Sequence, residues 1–444
     1  MSKRFVLLSS LALIAAAPAA CAQTTLSKPP LSDQPLAVAS GSATNPPAIE
    51  ALMPRAPFQS SGDAAFDTWR ERFADRAIAR GYAPSLVNAL LTGLKPEPRI
   101  TASNERQPEF VRPVWDYLAS AVSNQRVSTG RARYAFEQEM LARATGRFGV
   151  PGSVVVAIWG IETSYGAIRG DIDAAIALST LAYQGRRTAF GETELLALLE
   201  IMTRGEATRG QLIGSWAGAM GHTQFIPSTF LSAAVDGNGD GKRNIWGDPE
   251  DALASAANYL AKSGWRRAEP WGFEVTMPVG FNWALADGSQ KLGSEWSTLG
   301  LTRANGMPLG GGDLSFSARI LAPAGANGAA FLVGANFQAI KTYNNSDSYA
   351  LAVGLLSDRI AGSEAMPTRW PVNDPPIPRS QVMELQQILA RLGFDTGTPD
   401  GQAGPRTRAA LQAFQASRGL TADGYPSASA LDAVRKASSP STPS

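Results

Sequence analysis

Residues 153–166 read Ser-Val-Val-Val-Ala-Ile-Trp-Gly-Ile-Glu-Thr-Ser-Tyr-Gly, and this stretch indicates the fold class. Its first part predicts a helix over 154–163 that is apolar on nearly every side. A helix without a polar face is buried among other elements, so the larger part of the chain is expected to be mainly α-helical. The one charged side chain, Glu162, falls at the end of this buried helix.

Glu162 is a candidate catalytic residue. A carboxyl beside Trp159, Ile161 and Tyr165 would be desolvated, and desolvation raises a carboxyl pKa. A carboxyl that stays protonated near neutral pH is what a general acid for a glycosidic oxygen requires. The alternative is a structural glutamate at a helix end, paired with an arginine or facing water.

The composition supports globular domains and excludes several kinds of site. Of 444 residues, 44% are hydrophobic and 18% are charged, which excludes a wholly disordered chain. The net charge of +2 does not indicate a nucleic-acid-binding surface. One cysteine and one histidine exclude an internal disulfide framework and a multi-Cys/His zinc site, which leaves oxygen ligands for any metal.

Two folded segments are expected, at about 62–362 and 380–436. Residues 23–61 are rich in Ala, Ser and Pro and predict a disordered tether, and the Ser/Pro-rich tail 437–444 is expected to be disordered. Five prolines in 363–379 predict a stiff linker that leaves the two segments independent. Within the larger segment, Gly-rich residues 270–335 contain β-prone pieces and predict a small strand element. No internal repeat is detected.

Residues 1–22 have the pattern of an export signal. Two basic residues precede the 13-residue apolar run Phe5–Ala17, which is too short to span a bilayer, and small residues follow. Either cleavage after Ala22 releases the chain, or Cys21 becomes the first mature residue and carries a lipid. Both place the chain outside the cytoplasm. No later stretch is apolar enough to span a membrane.

The Gly-rich segment 214–230 is a candidate binding loop. Ser215 and Gln224 supply neutral hydrogen-bonding groups of the kind that bind sugar hydroxyls and N-acetyl groups, and glycines let backbone approach a partner closely. The alternative is a tight turn between helices. His222 has no second histidine or cysteine nucleophile to act with, so a surface or turn position is expected for it rather than a catalytic base.

Residues 341–349 are a second candidate for a sugar groove. Tyr343, Asn344 and Tyr349 offer rings and an amide, and apolar residues follow them at helical spacing. The alternative is that this segment only caps the helix that begins there.

Residues 236–251 resemble the first half of an EF-hand calcium loop. The twelfth position is Gly247 rather than a bidentate glutamate, so the second half departs from the pattern. The candidate ligands are Asp236, Asn238, Asp240, Lys242 and Asp251. The alternative is a turn held by Asp and Asn side-chain hydrogen bonds to the backbone.

Seven blocks along the chain occur in the order found in lytic murein transglycosylase B proteins. They are Gln107-Pro-Glu-Phe110, Gly160-Ile-Glu-Thr163, Gly214-Ser215, Ala217-Gly-Ala-Met-Gly221, Gln224-Phe225, Asn258-Tyr259 and Tyr343-Asn344. Residues 62–362 therefore resemble that family. Residues 380–436 predict three short helices joined by Asp-Gly turns. They resemble the peptidoglycan-binding domain 1 family through Leu385-Gln386, Asp400-Gly-Gln-Ala-Gly-Pro-Arg-Thr407 and Ala413-Phe-Gln415.

The resemblance implies a lysozyme-like, mainly α-helical catalytic domain with a small β-domain and a calcium loop, followed by a three-helix peptidoglycan-binding domain. It implies catalysis by Glu162. It places a set of polar and aromatic residues in or near the sugar groove: Ser215, Gln224, Tyr343, Asn344, Tyr349, Tyr259 and Tyr117. Calcium would be structural and unnecessary for the chemistry. The calcium loop departs from the family by one extra residue, Gly247.

The resemblance also implies a mechanism with one carboxyl. Glu162 would protonate the oxygen between N-acetylmuramic acid and N-acetylglucosamine, then deprotonate the muramic C6 hydroxyl to close a 1,6-anhydro ring. The nearest acidic residues, Asp171 and Asp173, are expected in a solvated loop. Peptidoglycan glycan strands are the expected partner, with no nucleic acid, for a monomer in the bacterial periplasm or on the outer membrane through a lipid on Cys21. A lysozyme-like hydrolase and a non-catalytic wall-binding protein remain alternatives.

Overall fold

The computed structural model describes residues 57–105, 112–185 and 187–438. The predicted export signal with Cys21, and the block at 107–110, lie outside these residues. The described helices are α1 (Ala64–Ala79), α2 (Pro84–Leu91), α3 (Pro98–Glu105), α4 (Val114–Ala121), α5 (Asn124–Phe136), α6 (Gln138–Phe148), α7 (Gly152–Thr163), α8 (Ala174–Tyr183), α9 (Thr188–Thr203), α10 (Pro227–Ala233), α11 (Pro249–Lys262), α12 (Gly293–Thr298), α13 (Gly312–Ser315), α14 (Ala335–Lys341), α15 (Asp347–Ile360), α16 (Arg379–Arg391), α17 (Pro405–Ser417) and α18 (Ala428–Ser438). The described strands are β1 (Ile172–Asp173), β2 (Ile213–Gly214), β3 (Gly272–Thr276), β4 (Lys291–Leu292), β5 (Thr302–Arg303), β6 (Ser317–Leu321) and β7 (Ala330–Val333).

Helix α7 is the central element of the catalytic domain. It is buried at eleven of its twelve positions, and the exception is Glu162, which is half-buried. Helix α15 packs along α7, and α4, α5, α6 and α11 surround the pair. The predicted buried helix is confirmed, because an element that is apolar all round can lower its free energy only by being enclosed.

A second helical layer is formed by α1, α2, α8, α9 and α10 around a separate hydrophobic core. Asp63 caps α1 by accepting hydrogen bonds from the Ala65 and Phe66 backbone N–H groups. Phe66 and Phe73 follow on the buried face of α1, as their helical spacing predicts. Residues 58–61, within the segment predicted as a tether, hydrogen-bond to α1 through Asp67, Arg70 and Glu71.

The predicted β element is confirmed between residues 272 and 333. It is a five-stranded antiparallel sheet in the order β4-β6-β7-β3-β5. In its centre Ile320 pairs with Leu332, and Leu332 is paired in turn with Phe273. The sheet covers Trp296, which is fully buried and donates its indole N–H to the Ala318 carbonyl.

The C-terminal domain is a three-helix unit of α16, α17 and α18. Its core consists of Leu385, Leu389, Leu411, Phe414 and Val434 with their neighbours. The mainly α-helical fold class, with a small β-domain and this helical unit, is therefore as predicted.

The C-terminal domain contacts the catalytic domain directly. Gln412 donates to the Trp283 carbonyl at 3.3 Å, and the Ala326 backbone N–H donates to Asp423 at 2.9 Å. Trp370, in the Pro-rich segment 363–379, packs on Trp115 with ring centroids 6.1 Å apart. These contacts differ from the independence that a Pro-rich linker predicts. Proline content describes the stiffness of the segment and carries no information on the surfaces it joins.

No single helix in the described part of the chain is long and apolar enough to cross a bilayer. One pair, α6 and α7, meets the length and composition requirement only when joined across a 112° bend.

Candidate active site

The end of α7 is held by an unusual turn. Ser164 and Tyr165 both have left-handed backbone, with φ of 51° and 61°, so the chain reverses directly after Glu162 and Thr163. The Tyr165 ring then folds back across the helix, where a Cβ on Gly160 would lie 2.6 Å from it. Glycine in the Gly-Ile-Glu block is therefore required for this packing.

Two hydrogen bonds fix the turn on neighbouring elements. Thr163 donates its hydroxyl to the His222 carbonyl at 2.7 Å, and Tyr165 donates its hydroxyl to the Arg126 carbonyl at 2.7 Å. Arg126 in turn donates to the Gly160 carbonyl near the end of α7. Glu162 is thus carried on a backbone that three elements hold in place.

Among the described residues, Glu162 has one direct side-chain partner. Tyr349, on the first turn of α15, donates its hydroxyl to Glu162 Oε1 at 2.5 Å. Burial raises the pKa of Glu162 to about 7, and the Tyr349 hydrogen bond opposes part of that rise because it stabilises the carboxylate. Near neutral pH the carboxyl therefore exists in both forms, which suits a group that gives and takes a proton.

No second carboxyl among the described residues influences the pKa of Glu162. Asp171 is exposed, as expected. Asp173 is not simply solvated: it caps α8 by accepting from the Ala175 N–H at 2.8 Å, and it pairs with Arg209 at 3.1 Å. Because Asp173 caps a helix and pairs with an arginine, its role is structural.

Tyrosines predicted for the sugar groove surround Glu162. The pKa of Tyr117 is raised to about 12, first by burial and then by the nearby Glu162 charge. The pKa values of Tyr343 and Tyr349 are also raised, by burial and by the same charge. The three phenols therefore stay protonated and can donate hydrogen bonds, and the structure brings all three within electrostatic reach of Glu162.

An aromatic cluster extends from this centre. The rings of Tyr259 and Tyr343 meet edge to face at 5.0 Å, and Phe225 lies 5.7 Å from Tyr259 and 6.0 Å from Tyr343. The cluster borders a cavity of about 290 Å³. Among the residues that line the cavity are Gln224, Tyr259, Tyr343, Arg187, Phe190 and Phe225. The last three, one arginine and two phenylalanines, were not predicted for the site, since a single residue of either type carries no sequence signal for a groove.

Polar side chains of the loop before α10 form hydrogen bonds within the loop. Ser215 is half-buried and accepts from the Ala219 N–H at 3.2 Å, which supports the interpretation of this segment as a tight turn. Gln224 has left-handed backbone with φ 53°, and its amide donates to the Gly221 and Arg169 carbonyls. Asn344 is half-buried beside Tyr343, and its carbonyl accepts from the Ser346 N–H at 2.7 Å.

His222 lies in the turn, as expected, but it is buried beneath α7. Its Nδ1 accepts from the Trp159 indole N–H at 3.1 Å, and burial lowers its pKa to about 4. A neutral, buried imidazole that accepts from Trp159 stabilises the position of α7.

The calcium-like loop brings three carboxylates together. One ligand oxygen from each of Asp236, Asp240 and Asp251 lies within 4.8 Å of the others. Asp251 is fully buried and accepts from the Gly237 and Asn244 N–H groups, both at 2.7 Å. Converging carboxylates fit a hard divalent cation.

The other two candidate ligands take part in the hydrogen bonds of the loop. The Asn238 side chain accepts from the Asp240 N–H at 2.8 Å and donates to Asp248 at 2.6 Å. The Lys242 N–H donates to Asp240 at 2.9 Å. The turn of side-chain-to-backbone hydrogen bonds is therefore present, and it is compatible with a cation on the carboxylates.

The sequence model of the transglycosylase SLT domain matches residues 65–358, which is more than half of the chain. The chain belongs to this family. A peptidoglycan binding domain matches residues 378–434.

Three relatives illustrate the similarity. Membrane-bound lytic murein transglycosylase B of Escherichia coli (strain K12) is 30% identical over 321 residues, which cover 68% of this chain and 85% of that protein. SltB3 from Pseudomonas aeruginosa, solved in complex with NAG-anhNAM-pentapeptide, is 46% identical with a TM-score of 0.80, over 84% of this chain and 100% of that one. The Escherichia coli lytic transglycosylase Slt35, solved in complex with calcium, is 29% identical with a TM-score of 0.55, over 66% and 92%. The predicted family and the two-domain composition of this SLT-domain transglycosylase are confirmed.

Proposed function

We propose that this enzyme cleaves peptidoglycan as a lytic transglycosylase in which Glu162 is both the acid and the base. The observation that carries the proposal is the isolation of Glu162 at the end of α7. Its pKa is about 7, Tyr349 is its one hydrogen-bond partner, and no second carboxyl among the described residues acts on it.

The first step uses the protonated carboxyl. Glu162 donates its proton to the oxygen that joins C1 of N-acetylmuramic acid to O4 of N-acetylglucosamine, and the C1–O bond breaks. The N-acetylglucosamine end leaves with a free hydroxyl. The positive charge that develops at C1 is stabilised by the N-acetyl oxygen of the substrate. The Tyr349 hydroxyl stabilises the carboxylate that Glu162 becomes.

The second step uses the carboxylate. Glu162 accepts the proton of the muramic C6 hydroxyl while O6 bonds to C1. This restores the protonated carboxyl and closes the 1,6-anhydro ring. No water enters the product. An inverting or retaining hydrolase would need a second carboxylate beside Glu162, so the isolation of this group favours the transglycosylase over the lysozyme-like alternative.

The groove residues supply binding and orientation. Tyr117 and Tyr343 flank Glu162 with protonated hydroxyls, and Tyr259 adds a ring to the same wall. Aromatic rings pack on the apolar faces of sugars and offer a polar handle for hydroxyls. Ser215, Gln224 and Asn344 are assigned to hydrogen bonds with sugar hydroxyls and N-acetyl groups.

Calcium is assigned a structural role. Asp236, Asp240 and Asp251 would hold the ion. Asn238 and Lys242 of the same loop are assigned as its further ligands. A bound cation would neutralise the converging carboxylates and stabilise the loop between α10 and α11. The chemistry at Glu162 does not pass through this site.

The location follows from the N-terminal sequence. An export signal over 1–22 directs the chain to the cell envelope, as a periplasmic protein or as an outer-membrane lipoprotein anchored through Cys21. Glycan strands are the partner, and the chain is assigned as a monomer. Mass spectrometry of the mature N-terminus distinguishes a lipidated Cys21 from a chain that begins at Gln23.

Mass analysis of digestion products tests the function itself. Purified glycan treated with the wild-type enzyme should yield 1,6-anhydromuramoyl ends, which lack a reducing group and weigh one water less than hydrolysis products. Reducing muramic ends as the main product would contradict the mechanism and favour the hydrolase. A wild-type protein that binds glycan without any cleavage would favour the non-catalytic alternative.

A further inference from the structure

The C-terminal domain contains two Asp-Gly turns that are built alike. In the first, the buried Gln386 side chain accepts from the Gly401 N–H at 2.9 Å and donates to Asp400 Oδ1 at 3.1 Å. In the second, the buried Gln415 side chain accepts from the Gly424 N–H at 2.8 Å and donates to Asp423 Oδ1 at 3.0 Å.

The match extends beyond these pairs. Asp400 Oδ1 also accepts from the Gln402 N–H at 2.8 Å, and Asp423 Oδ1 from the Tyr425 N–H at 3.0 Å. Both glycines have left-handed backbone, with φ of 74° and 65°. A helix starts five residues after each aspartate, at the first residue of α17 and of α18. In each turn, the aspartate Oδ1 accepts the hydrogen bonds that hold the turn together, and Oδ2 takes no part in them.

The second turn shows what this arrangement binds. Asp423 Oδ2 accepts from the Ala326 backbone N–H of the catalytic domain at 2.9 Å. The residue before that amide, Gly325, has left-handed backbone with φ 63°. An L side chain there would place its Cβ 2.4 Å from Asp423 Oδ2 and 2.6 Å from Tyr425 Cβ. The bound group is therefore a peptide amide that follows a left-handed residue without an L side chain.

A D-residue meets both conditions. D-residues adopt positive φ without strain, and their Cβ projects from the opposite side of Cα to that of an L-residue. The second turn thus holds, within this protein, a segment with the backbone shape of a D-residue followed by an amide.

The first turn presents the same atoms to solvent. Within the described residues, Asp400 Oδ2 accepts no hydrogen bond, and Asp400 is exposed. The Arg379 guanidinium is held beside it by donating to the Asp400 carbonyl at 3.1 and 3.2 Å. The turn therefore offers a carboxylate oxygen for an N–H group and a cation next to it for a carboxylate.

We propose that the Asp400–Gln402 turn binds the peptide stems of peptidoglycan, by accepting the amide N–H that follows a D-residue, with Arg379 beside a stem carboxylate. The proposal rests on the proposed function, since it takes peptidoglycan as the ligand of the full chain. It assigns the C-terminal domain to the stems, whereas the glycan strand is assigned to the groove at Glu162.

The substitution D400N tests the proposal. Asparagine keeps Oδ1 for Gln386 and Gln402, but it replaces Oδ2 by an amide N–H that cannot accept. D395N is the matched control, because Asp395 is 76% exposed in the same domain. Like Asp400, it uses Oδ1 to accept from a backbone N–H, that of Gly397 at 2.9 Å, and its Oδ2 lies 3.4 Å from the exposed Arg406. Both are made in full-length protein that also carries E162Q, so that sacculi are not digested while binding is measured by co-sedimentation.

D400N should weaken binding to intact sacculi by about tenfold or more, because hydrogen bonds to a carboxylate contribute that much to affinity. D395N should bind as the parent does. Glycan strands freed of their stems by an amidase no longer sediment, and they should compete only weakly with intact sacculi for the parent. Unchanged binding by D400N, or strong competition by stem-free glycan, would overturn the proposal, the latter result identifying the glycan as the ligand.

A second measurement needs no variant. A free stem peptide that contains D-residues should compete with sacculi for the parent protein, and the all-L diastereomer should not. Equal competition would overturn the D-residue requirement even if D400N fails to fold. On soluble glycan fragments without peptide stems, which the proposed turn would not contact, D400N with Glu162 intact should still release 1,6-anhydro products. Failure of the stem proposal is therefore distinguishable from failure of the proposed function.

Discussion

The substitution Tyr349→Phe removes the one hydroxyl that the structure places on Glu162 Oε1, and it leaves the ring in its buried site. A hydrogen bond donated to a carboxylate stabilises the ionised form, so its loss should raise the pKa of Glu162 above its present value of about 7. The Glu162 carboxylate should therefore be more basic in the variant.

The magnitude follows from the energy of such a bond. Hydrogen bonds to charged groups contribute about 1.5–3 kcal/mol, and about 1.4 kcal/mol corresponds to one pKa unit. The alkaline limb of kcat/KM, which reports the protonated acid in the free enzyme, should move up by about one to two pH units. The carboxylate formed at bond cleavage also loses its donor, so the maximal rate should fall by about tenfold.

The assay is the release of 1,6-anhydromuramoyl ends from soluble glycan fragments, followed across pH. Tyr259→Phe is the control, because the Tyr259 hydroxyl donates to the Thr342 carbonyl at 3.0 Å and not to Glu162. The Tyr259→Phe control should alter KM without shifting the alkaline limb of the kcat/KM profile. An alkaline limb that stays in place in a folded Tyr349→Phe protein would show that the hydroxyl does not stabilise ionised Glu162, and would refute the reasoning.

Three further predictions concern the acid, the calcium loop and the C-terminal domain. Glu162→Gln should reduce activity by at least about 10²–10⁴-fold. In the wild type, the free energy of unfolding should fall as the pH rises from 4.5, the ordinary carboxyl pKa, to about 7, the pKa of Glu162 in the native state. The variant should not show this fall, because glutamine does not ionise. Urea unfolding should find the variant more stable by up to about 3 kcal/mol near pH 8 and equal to wild type below about pH 4, and equal stability at both would contradict the raised pKa. Millimolar-order calcium should raise the melting temperature of the wild type more than that of Asp240→Asn, and equal shifts would argue against the site. Deletion of 380–436 should spare cleavage of soluble fragments, since Glu162 and Tyr349 lie on α7 and α15. The deletion should weaken retention on sacculi. Loss of fragment cleavage in a folded truncation would place the C-terminal domain in the active site.

The sequence by itself determined the features that depend on local pattern. An apolar run of helical length can lie only in an interior, so 154–163 predicted α7, and the single carboxyl at its end predicted a desolvated acid. Asp and Asn at alternating positions predicted the loop in which three carboxylates converge. In each case the signal lies in one short stretch of the sequence.

The tertiary structure alone decided which distant groups meet. Tyr349 lies 187 residues from Glu162, and the local pattern of 341–349 was equally compatible with a simple helix cap. The two Asp-Gly turns share no sequence period, because Gln386 lies 14 residues before Asp400, whereas Gln415 lies 8 before Asp423. Hydrogen bonds are made between atoms that packing brings within about 3 Å, whatever their separation along the chain, and no local period records that packing.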